Sequence, residues 1–312
     1  MASIKEISNI TGVSPATVSR ILNNDQSFSV SRQVRLDVIK CASELGYQTP
    51  RTKKNFGKTF IVGIVDWHVV PSGMLPGYDM RFSKSRDNPM DIRFIRLNKK
   101  EVKEVSGVIA IGTFNDEEMN HIMLCSPNIV IINSLKKPDY SHNRLIVDLN
   151  IAWSKAIEYL TSFTNKIGYI GGEYNVDGLK IGELSNRVMK QKLEELGLYK
   201  KELFFTGRLS DYDSSSLLRA AIHNGAEAII VSSQLNEKGV ISEYEKLNLN
   251  IPIVLTRDMP LDIGAVDNQF PKVRMYPNDL WFMAIDILIA HARKPKLNVN
   301  ACIPTIFEVP NR

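Results

Sequence analysis

"GVSPATVSRILNN", residues Gly12 to Asn24, is the stretch that decides how the chain begins. Ser14 is placed to cap a helix, and Pro15 falls at the first helical position, where its missing N–H costs nothing. Val18, Ile21 and Leu22 then give that helix an apolar face at helical spacing. The opposite face should carry Pro15, Ala16, Ser19, Arg20 and Asn23. Upstream, Ser3 and Glu6 have the S-x-x-E spacing of a capping box, so a first helix should start at Ile4 with Ile7 and Ile10 on one side, and Gly12 should end it. Downstream, Ser31 can cap a third helix whose core stripe is Val34, Val38, Cys41, Ala42 and Leu45, closed by Gly46. Three short helices, the first two joined by a tight glycine turn, make a helix-turn-helix unit, whose second helix is the one shaped to enter a major groove.

The distribution of charge agrees with that unit. Net charge is +5. Residues 1–59 hold nine Lys/Arg against four Asp/Glu, which leaves 30 of the 39 basic and 30 of the 34 acidic residues for the rest. All of the excess positive charge therefore sits in the first fifth of the chain, pointing to a polyanion partner for that module alone. With 312 residues, 44% hydrophobic and 23% charged, the composition is that of a globular protein of two or three domains. No run of eighteen apolar residues reads as a membrane span, and Lys5 and Glu6 stand where a signal peptide needs an apolar core, so a cytoplasmic location is expected. Cys41, Cys125 and Cys302 are far apart, with no CxxC and no zinc-like spacing to the five histidines. Buried free thiols are expected, with no metal and no cofactor.

On the second helix, Ala16 can touch a thymine methyl and Arg20 can reach guanine or a phosphate. Ser14 and Thr17 lie at its N-terminus, where hydroxyls and free N–H groups favour a phosphate oxygen. "IKEISNITGVSPATVSRILNN" followed by "VSRQVRLDVIKCASELGY" resembles the DNA-binding headpiece of the LacI/GalR family of bacterial transcription regulators over residues 3–48. The resemblance implies Pro15 and Ala16 as base contacts, and Ser14, Thr17, Ser19, Arg20 and Asn23 as base or phosphate contacts, on a near-palindromic double-stranded operator. It also implies three parts: a headpiece at 1–48, a hinge at 49–59 and an effector-binding, dimerising core at 60–312. The hinge "GYQTPRTKKNFGKT" lacks the family's usual N-x-x-A-R-x-L pattern. Phe56 stands near the place of the leucine that wedges into the minor groove, with a plug under the core as the other reading, and Lys53 and Lys54 are placed for phosphate contacts.

From Phe60 on, short apolar runs alternate with amphipathic segments, which implies right-handed βαβ units and parallel sheets. Strands are expected at "FIVGIV", "DIRFIRL", "GVIAIGT", "NIVIINS", "RLIVDL", "KIGYIGG", "ELFFTG", "AEAIIVSS", "IPIVLTRD" and the terminal "TIFEVP"; helices at 152–163, 179–196, 217–223, 237–247 and 278–293. The resemblance implies a two-lobed, periplasmic-binding-protein-like α/β core crossed three times by the chain, nearest the shorter regulators of galactoside-utilisation genes. Ligands in such sheets sit beyond the carboxyl ends of strands. The candidates there are Asp66, Trp67, Ser134, Ser233, Gln234, Arg257 and Asp258, with Arg187 added where sugar-responsive relatives carry an arginine. Two positions depart from the family: Ser233-Gln234 replaces Asn-Asp, and Arg257-Asp258 replaces Asp-Asp. Because Arg only donates hydrogen bonds, an anionic ligand such as a sugar phosphate, or the loss of the effector site, becomes a live alternative. The segment 67–91 carries Pro71, Pro76, Pro89, Gly73 and Gly77 where the first core helix belongs, and offers only a weak amphipathic turn at Tyr78–Lys84.

Enzyme readings find little support. "GYIGGEYNVDG" lacks G-x-G-x-x-G spacing, and Ser134 with Lys137 forms S-x-x-K without S-D-N or K-T-G partners. The expected function is a homodimeric repressor of carbohydrate-utilisation genes, not an enzyme, controlled by a sugar or sugar-derived ligand. The alternative keeps the DNA binding and gives the core to dimerisation or protein docking.

Overall fold

The computed structural model describes residues 3–23, 25, 28–45, 47, 59–68, 81–83, 91–133, 142–176, 178–208, 211–232, 237–257, 270–274, 278–294 and 298–310. The first three helices are α1 (Ile4–Thr11), α2 (Pro15–Leu22) and α3 (Arg32–Glu44). Ser3, Ser14 and Ser31 each accept a hydrogen bond from the backbone N–H three residues on, so all three caps form at the expected serines. Gly12 takes φ 67°, a left-handed conformation that glycine enters without steric cost, and this turns the chain from α1 into α2. Ile7, Val18, Ile21, Val38, Cys41 and Ala42 form the buried centre of the trihelical unit. Ile10, expected beside Ile7, is 62% exposed: a step of three residues rotates it off the narrow contact stripe. The expected stop at Gly46 lies outside the described residues; the helix ends at Glu44 with Leu45 as its cap.

Beyond this headpiece the chain runs through β1 (Thr59–Val65), β2 (Arg81–Ser83), β3 (Asp91–Arg96), β4 (Gly107–Ile111), α4 (Asp116–Cys125), β5 (Ile129–Asn133) and β6 (Asn143–Asp148). It continues as α5 (Leu149–Thr161), β7 (Ile167–Gly172), β8 (Tyr174–Val176), β9 (Leu179–Ile181), α6 (Glu183–Glu195), β10 (Phe204–Gly207) and α7 (Asp211–His223). Last come β11 (Ala228–Val231), α8 (Glu237–Lys246), β12 (Ile253–Arg257), β13 (Lys272–Arg274), α9 (Asn278–Arg293), β14 (Asn300–Pro304) and β15 (Ile306–Glu308).

These elements divide into two compact units, Met1–Ile146 with Phe282–Ala301 and Val147–Trp281 with Cys302–Arg312, so the polypeptide passes from one to the other three times. The first unit holds a seven-stranded sheet in the order β14-β6-β5-β4-β1-β3-β2. Its pairs from β6 to β3 are parallel, with β2 antiparallel at the edge. The second unit holds a six-stranded sheet, β10-β7-β11-β12-β13-β15, parallel except for β15. Every residue of β4, β5, β7 and β11 is buried, as expected of central parallel strands covered on both faces.

Three local expectations are corrected. The helix expected from Leu179 starts only at Glu183, because Asn175 to Gly178 forms a turn between β8 and β9 in which Asn175 Oδ1 accepts from the Gly178 N–H at 3.1 Å. Arg81–Ser83, inside the supposed turn of helix at Tyr78–Lys84, is extended and pairs with β3. Helix α4 was not expected at all, although Asn115 and Glu118 close a complete capping box at its start.

The link from β3 to β4 matters later. These two strands flank β1, so the chain must cross one face of the sheet to connect them, and residues 97–106 do so without any helix. Backbone bonds from Leu97 N–H to Ile64 C=O at 2.9 Å and from Ser106 N–H to Ile61 C=O at 2.8 Å pin its two ends to β1. Gly63 gives it room: a Cβ there would lie 2.5 Å from Leu97 Cδ1 and 3.2 Å from Val105 Cγ2.

Candidate nucleic-acid interface

Helix α2 is held from below and open above. Val18 and Ile21 are buried in the headpiece core, while Ser14, Pro15, Ala16, Arg20 and Asn23 are exposed and Thr17 and Ser19 half-exposed. The seven residues expected to contact DNA thus lie on the solvent side of one element. At its N-terminus Ser14 Oγ accepts from Thr17 N–H at 3.2 Å and donates to Thr17 Oγ1 at 2.9 Å, which orients both hydroxyls beside the open backbone N–H groups. A phosphate oxygen suits this place, because the first turn of a helix presents unpaired donors and the positive end of its dipole. Arg20 stretches across the polar loop, its guanidinium 5.2 Å from the Phe28 ring centre and 3.9 Å from Asp25. Both contacts are exposed and weak, so the side chain is posed rather than locked. At the other end Asn23 Nδ2 donates to Ser19 C=O at 2.9 Å. Lys53, Lys54 and Phe56 lie outside the described residues.

The strand-end candidates are distributed less evenly. Asp66, just past β1, is fully buried; Arg96 Nε donates to its Oδ1 at 2.9 Å. Burial pushes its carboxyl above the usual range, against the opposing effect of Arg96. The Trp67 indole N–H donates to Leu97 C=O at 2.9 Å. Its ring meets Phe114 and His121 edge-on at 6.0 and 5.8 Å, and Lys99 Nζ stands 5.6 Å from the ring centre. The Trp67 ring is thereby built into the first unit, not left as an open platform for a sugar ring. Sequence reasoning missed the neighbouring cluster. Glu118 receives His68 Nε2 at 2.8 Å, Lys99 Nζ at 2.6 Å and the Asn115 N–H at 3.2 Å. Burial raises its carboxyl, but the bonds from Lys99 and His68 outweigh that and hold it below the usual value. The capping-box spacing Asn115-x-x-Glu118 was the signal that could have located this carboxylate.

In the second unit Arg187 is exposed on α6, whereas Ser185, Asn186, Met189 and Leu193 face inward. The residue that meets the end of β7 is Asn186, which accepts from Tyr169 Oη at 2.8 Å and donates to Gly172 C=O at 3.3 Å. Arg257 is the last residue of β12, in register with Arg274 of β13. Ser134, Ser233, Gln234 and Asp258 lie outside the described residues. Of the thiols, Cys41 and Cys125 are buried as expected, while Cys302 is exposed because it sits on β14 at the sheet edge. Among the described residues no group of three or more His, Cys, Asp and Glu is placed to hold a metal ion, and no helix is long and apolar enough to cross a membrane.

Comparison with known proteins converges on the headpiece. Residues 3–50 match the family model described as bacterial regulatory proteins, lacI family. The chain is 29% identical over 333 aligned positions to the HTH-type transcriptional repressor MelR of Bacillus subtilis (strain 168), covering 99% of this chain and 96% of the relative. Its fold is similar to that of a transcriptional regulator CelR–cellobiose complex, with a TM-score of 0.54 at 16% identity over 99% of each chain. It is also similar to the lac repressor dimer bound to operator and the anti-inducer ONPF, with a TM-score of 0.54 at 14% identity over 98% and 97% of the two chains. Such relatives are regulators, not enzymes. Residues 3–50 are thus a headpiece of the kind described as bacterial regulatory proteins, lacI family, with its recognition helix capped and open, and the rest of the chain has the fold of the cores that follow such headpieces.

Proposed function

We propose that the chain is a cytoplasmic, homodimeric repressor of carbohydrate-utilisation genes, galactoside genes in the first place, that binds a near-palindromic operator through α2. The observation that carries this reading is the open face of α2, with Ser14 and Thr17 poised for a phosphate and Ala16, Ser19, Arg20 and Asn23 for base edges. In this reading 1–48 is the headpiece, 49–59 the hinge and 60–312 the core. Lys53 and Lys54 contact phosphates and Phe56 wedges the minor groove. The core binds a sugar or sugar phosphate, with Asp66, Trp67, Ser134, Arg187, Gln234 and Arg257 as the candidate set. Cellobiose in the CelR complex supports a sugar as ligand class, and the lac repressor dimer on its operator supports the twofold arrangement. A ligand alters DNA affinity only through unequal affinity for core arrangements that fit and misfit the operator.

A second reading is favoured by specific geometry. Asp66 Oδ1 is engaged by Arg96 and the Trp67 N–H by Leu97, so two of the six candidates already have a polar group occupied within the first unit. A core that serves dimerisation or protein docking without a sugar fits those facts. The deciding experiment selects operator sequences from a random duplex pool with the full-length protein, then follows binding and melting temperature across a panel of sugars and sugar phosphates. Operator release with a raised melting temperature for one compound supports the effector reading. A selected palindrome with no response from any compound supports the second, and failure to enrich any duplex overturns both.

A further inference from the structure

Helix α3 buries side chains on two sides, and the headpiece accounts for one. Val38, Cys41 and Ala42 belong to the headpiece core. Leu36 does not. At 100° per residue it points 120° to 160° away from those three, yet it is only 3% exposed and lies in the buried cluster of the first lobe with Val65, Leu97, Ile122 and Met123. A leucine on the outer side of a small DNA-binding module is an apolar group without a purpose inside that module.

The lobe supplies the purpose. A parallel sheet is covered on both faces by the helices of its crossovers, but the crossover from β3 to β4 is the helix-free segment 97–106. Among the described residues this segment contributes Leu97 and Val105 to the apolar cluster beside α4, and a helix from elsewhere can lie over it. We propose that α3 is that helix: the headpiece docks on the first lobe through Leu36 and travels with it as one body. The rest of the stripe agrees. Lys40, Ser43 and Glu44, four, seven and eight residues after Leu36, share its face and look across a cavity of about 1010 Å³ toward Asp116, Met119 and Asn120 of α4. The contact face is polar around one apolar anchor, as interfaces commonly are at their rim. Docking through α3 leaves Pro15, Ala16 and Arg20 exposed, so it positions the recognition helix instead of masking it. A change in the first lobe is then felt at α2 through a packed contact, whatever ligand drives it.

The test is made on the full-length protein without DNA. NMR relaxation of the headpiece amides reports whether they tumble with the whole particle, and hydrogen exchange of 97–106 and 116–125 reports cover over the lobe face. Tumbling as one body, with α4 exchange at least about tenfold faster in Leu36→Glu, restored in Leu36→Met, and unchanged protection of α1 and α2, is the expected result. Independent tumbling of the headpiece in the parent protein overturns the proposal without any variant. So does loss of α1 and α2 protection in Leu36→Glu, which would make Leu36 a core residue of the headpiece itself. Protection of α4 that disappears on dilution assigns the occupant to a second copy and overturns docking within the chain.

Discussion

At the residue scale, the exposed side chains of α2 separate affinity from stability. Among the described residues Arg20 meets the half-buried Phe28 ring and Asp25 from an exposed position, so Arg20→Ala changes headpiece stability by less than about 0.5 kcal/mol. With Arg20 in the groove, as proposed, its loss costs about 1–3 kcal/mol of operator binding. Electrophoretic mobility shift at fixed salt, beside a urea melt of the same variant, reads both; equal operator affinity removes Arg20 from the interface. Ser14 behaves differently, because its hydroxyl caps α2. Ser14→Ala lowers headpiece stability by about 1 kcal/mol as well as weakening binding, and Ser14→Asp keeps the cap but sets a carboxylate against phosphate. Melts of Ser14→Asp near parent stability with binding lost would show the two roles apart. Glu118 provides a pH signature. Its carboxyl is held below the ordinary value in the folded chain, so its contribution is present above the unfolded value and is lost as pH falls through the folded one. Glu118→Gln leaves His68 and the half-exposed Lys99 facing a neutral amide; it destabilises the first lobe at neutral pH by about 1–3 kcal/mol and flattens the acid limb of the stability curve. Parallel acid limbs for parent and variant would remove this carboxylate from the acid response.

At the element scale, what the sequence disclosed depended on whether the controlling signal was local. The three headpiece helices were legible because each begins at a serine cap and the glycine turn between the first two is strictly local. Central strands such as "GVIAIGT" and "AEAIIVSS" were legible because burial on both faces leaves continuous apolar runs. Helix α4 was not: its buried residues are mixed with Asp116, Glu117 and Asn120, so the periodicity is faint although the cap is complete. Leu179–Ile181 was drawn into the following helix because its apolar spacing suits either structure, and only the turn at Asn175–Gly178 decides. The helix-free crossover could not be foreseen, since its room comes from Gly63, thirty-four residues before Leu97. Gly63→Val tests this. The side chain would meet Leu97 and Val105 where even a Cβ lies 2.5 Å from Leu97 Cδ1, which costs about 1–3 kcal/mol. Chemical denaturation should show that loss, partly restored by Leu97→Ala in the same chain; additive losses would mean that the two groups do not compete for space.

At the scale of the whole molecule, the partition of charge sets how binding responds to salt. The first 59 residues carry all of the +5, and the remaining 253 are balanced, so the core adds no net electrostatic attraction to DNA and the headpiece with its hinge carries that term alone. Each phosphate neutralised by a lysine or arginine releases condensed counterions, and the logarithm of the binding constant falls against that of salt with a slope of about −0.9 per contact. In the proposed homodimer every such contact counts twice. Lys54→Ala should therefore reduce the magnitude of the slope by about 2 per dimer, while substitution of an exposed core cation such as Lys190 leaves it unchanged. The two sources of specificity then come apart in one titration series. With Lys54 on a phosphate and Arg20 on base edges, as proposed, Lys54→Ala weakens the selected operator and random duplex alike, because a phosphate contact has no sequence to read, whereas Arg20→Ala weakens the operator more. Fluorescence anisotropy between 50 and 200 mM salt measures both quantities. A slope that responds to Lys190 as strongly as to Lys54 would place the core on the DNA as well and break the division of labour between a charged, reading tip and a neutral body.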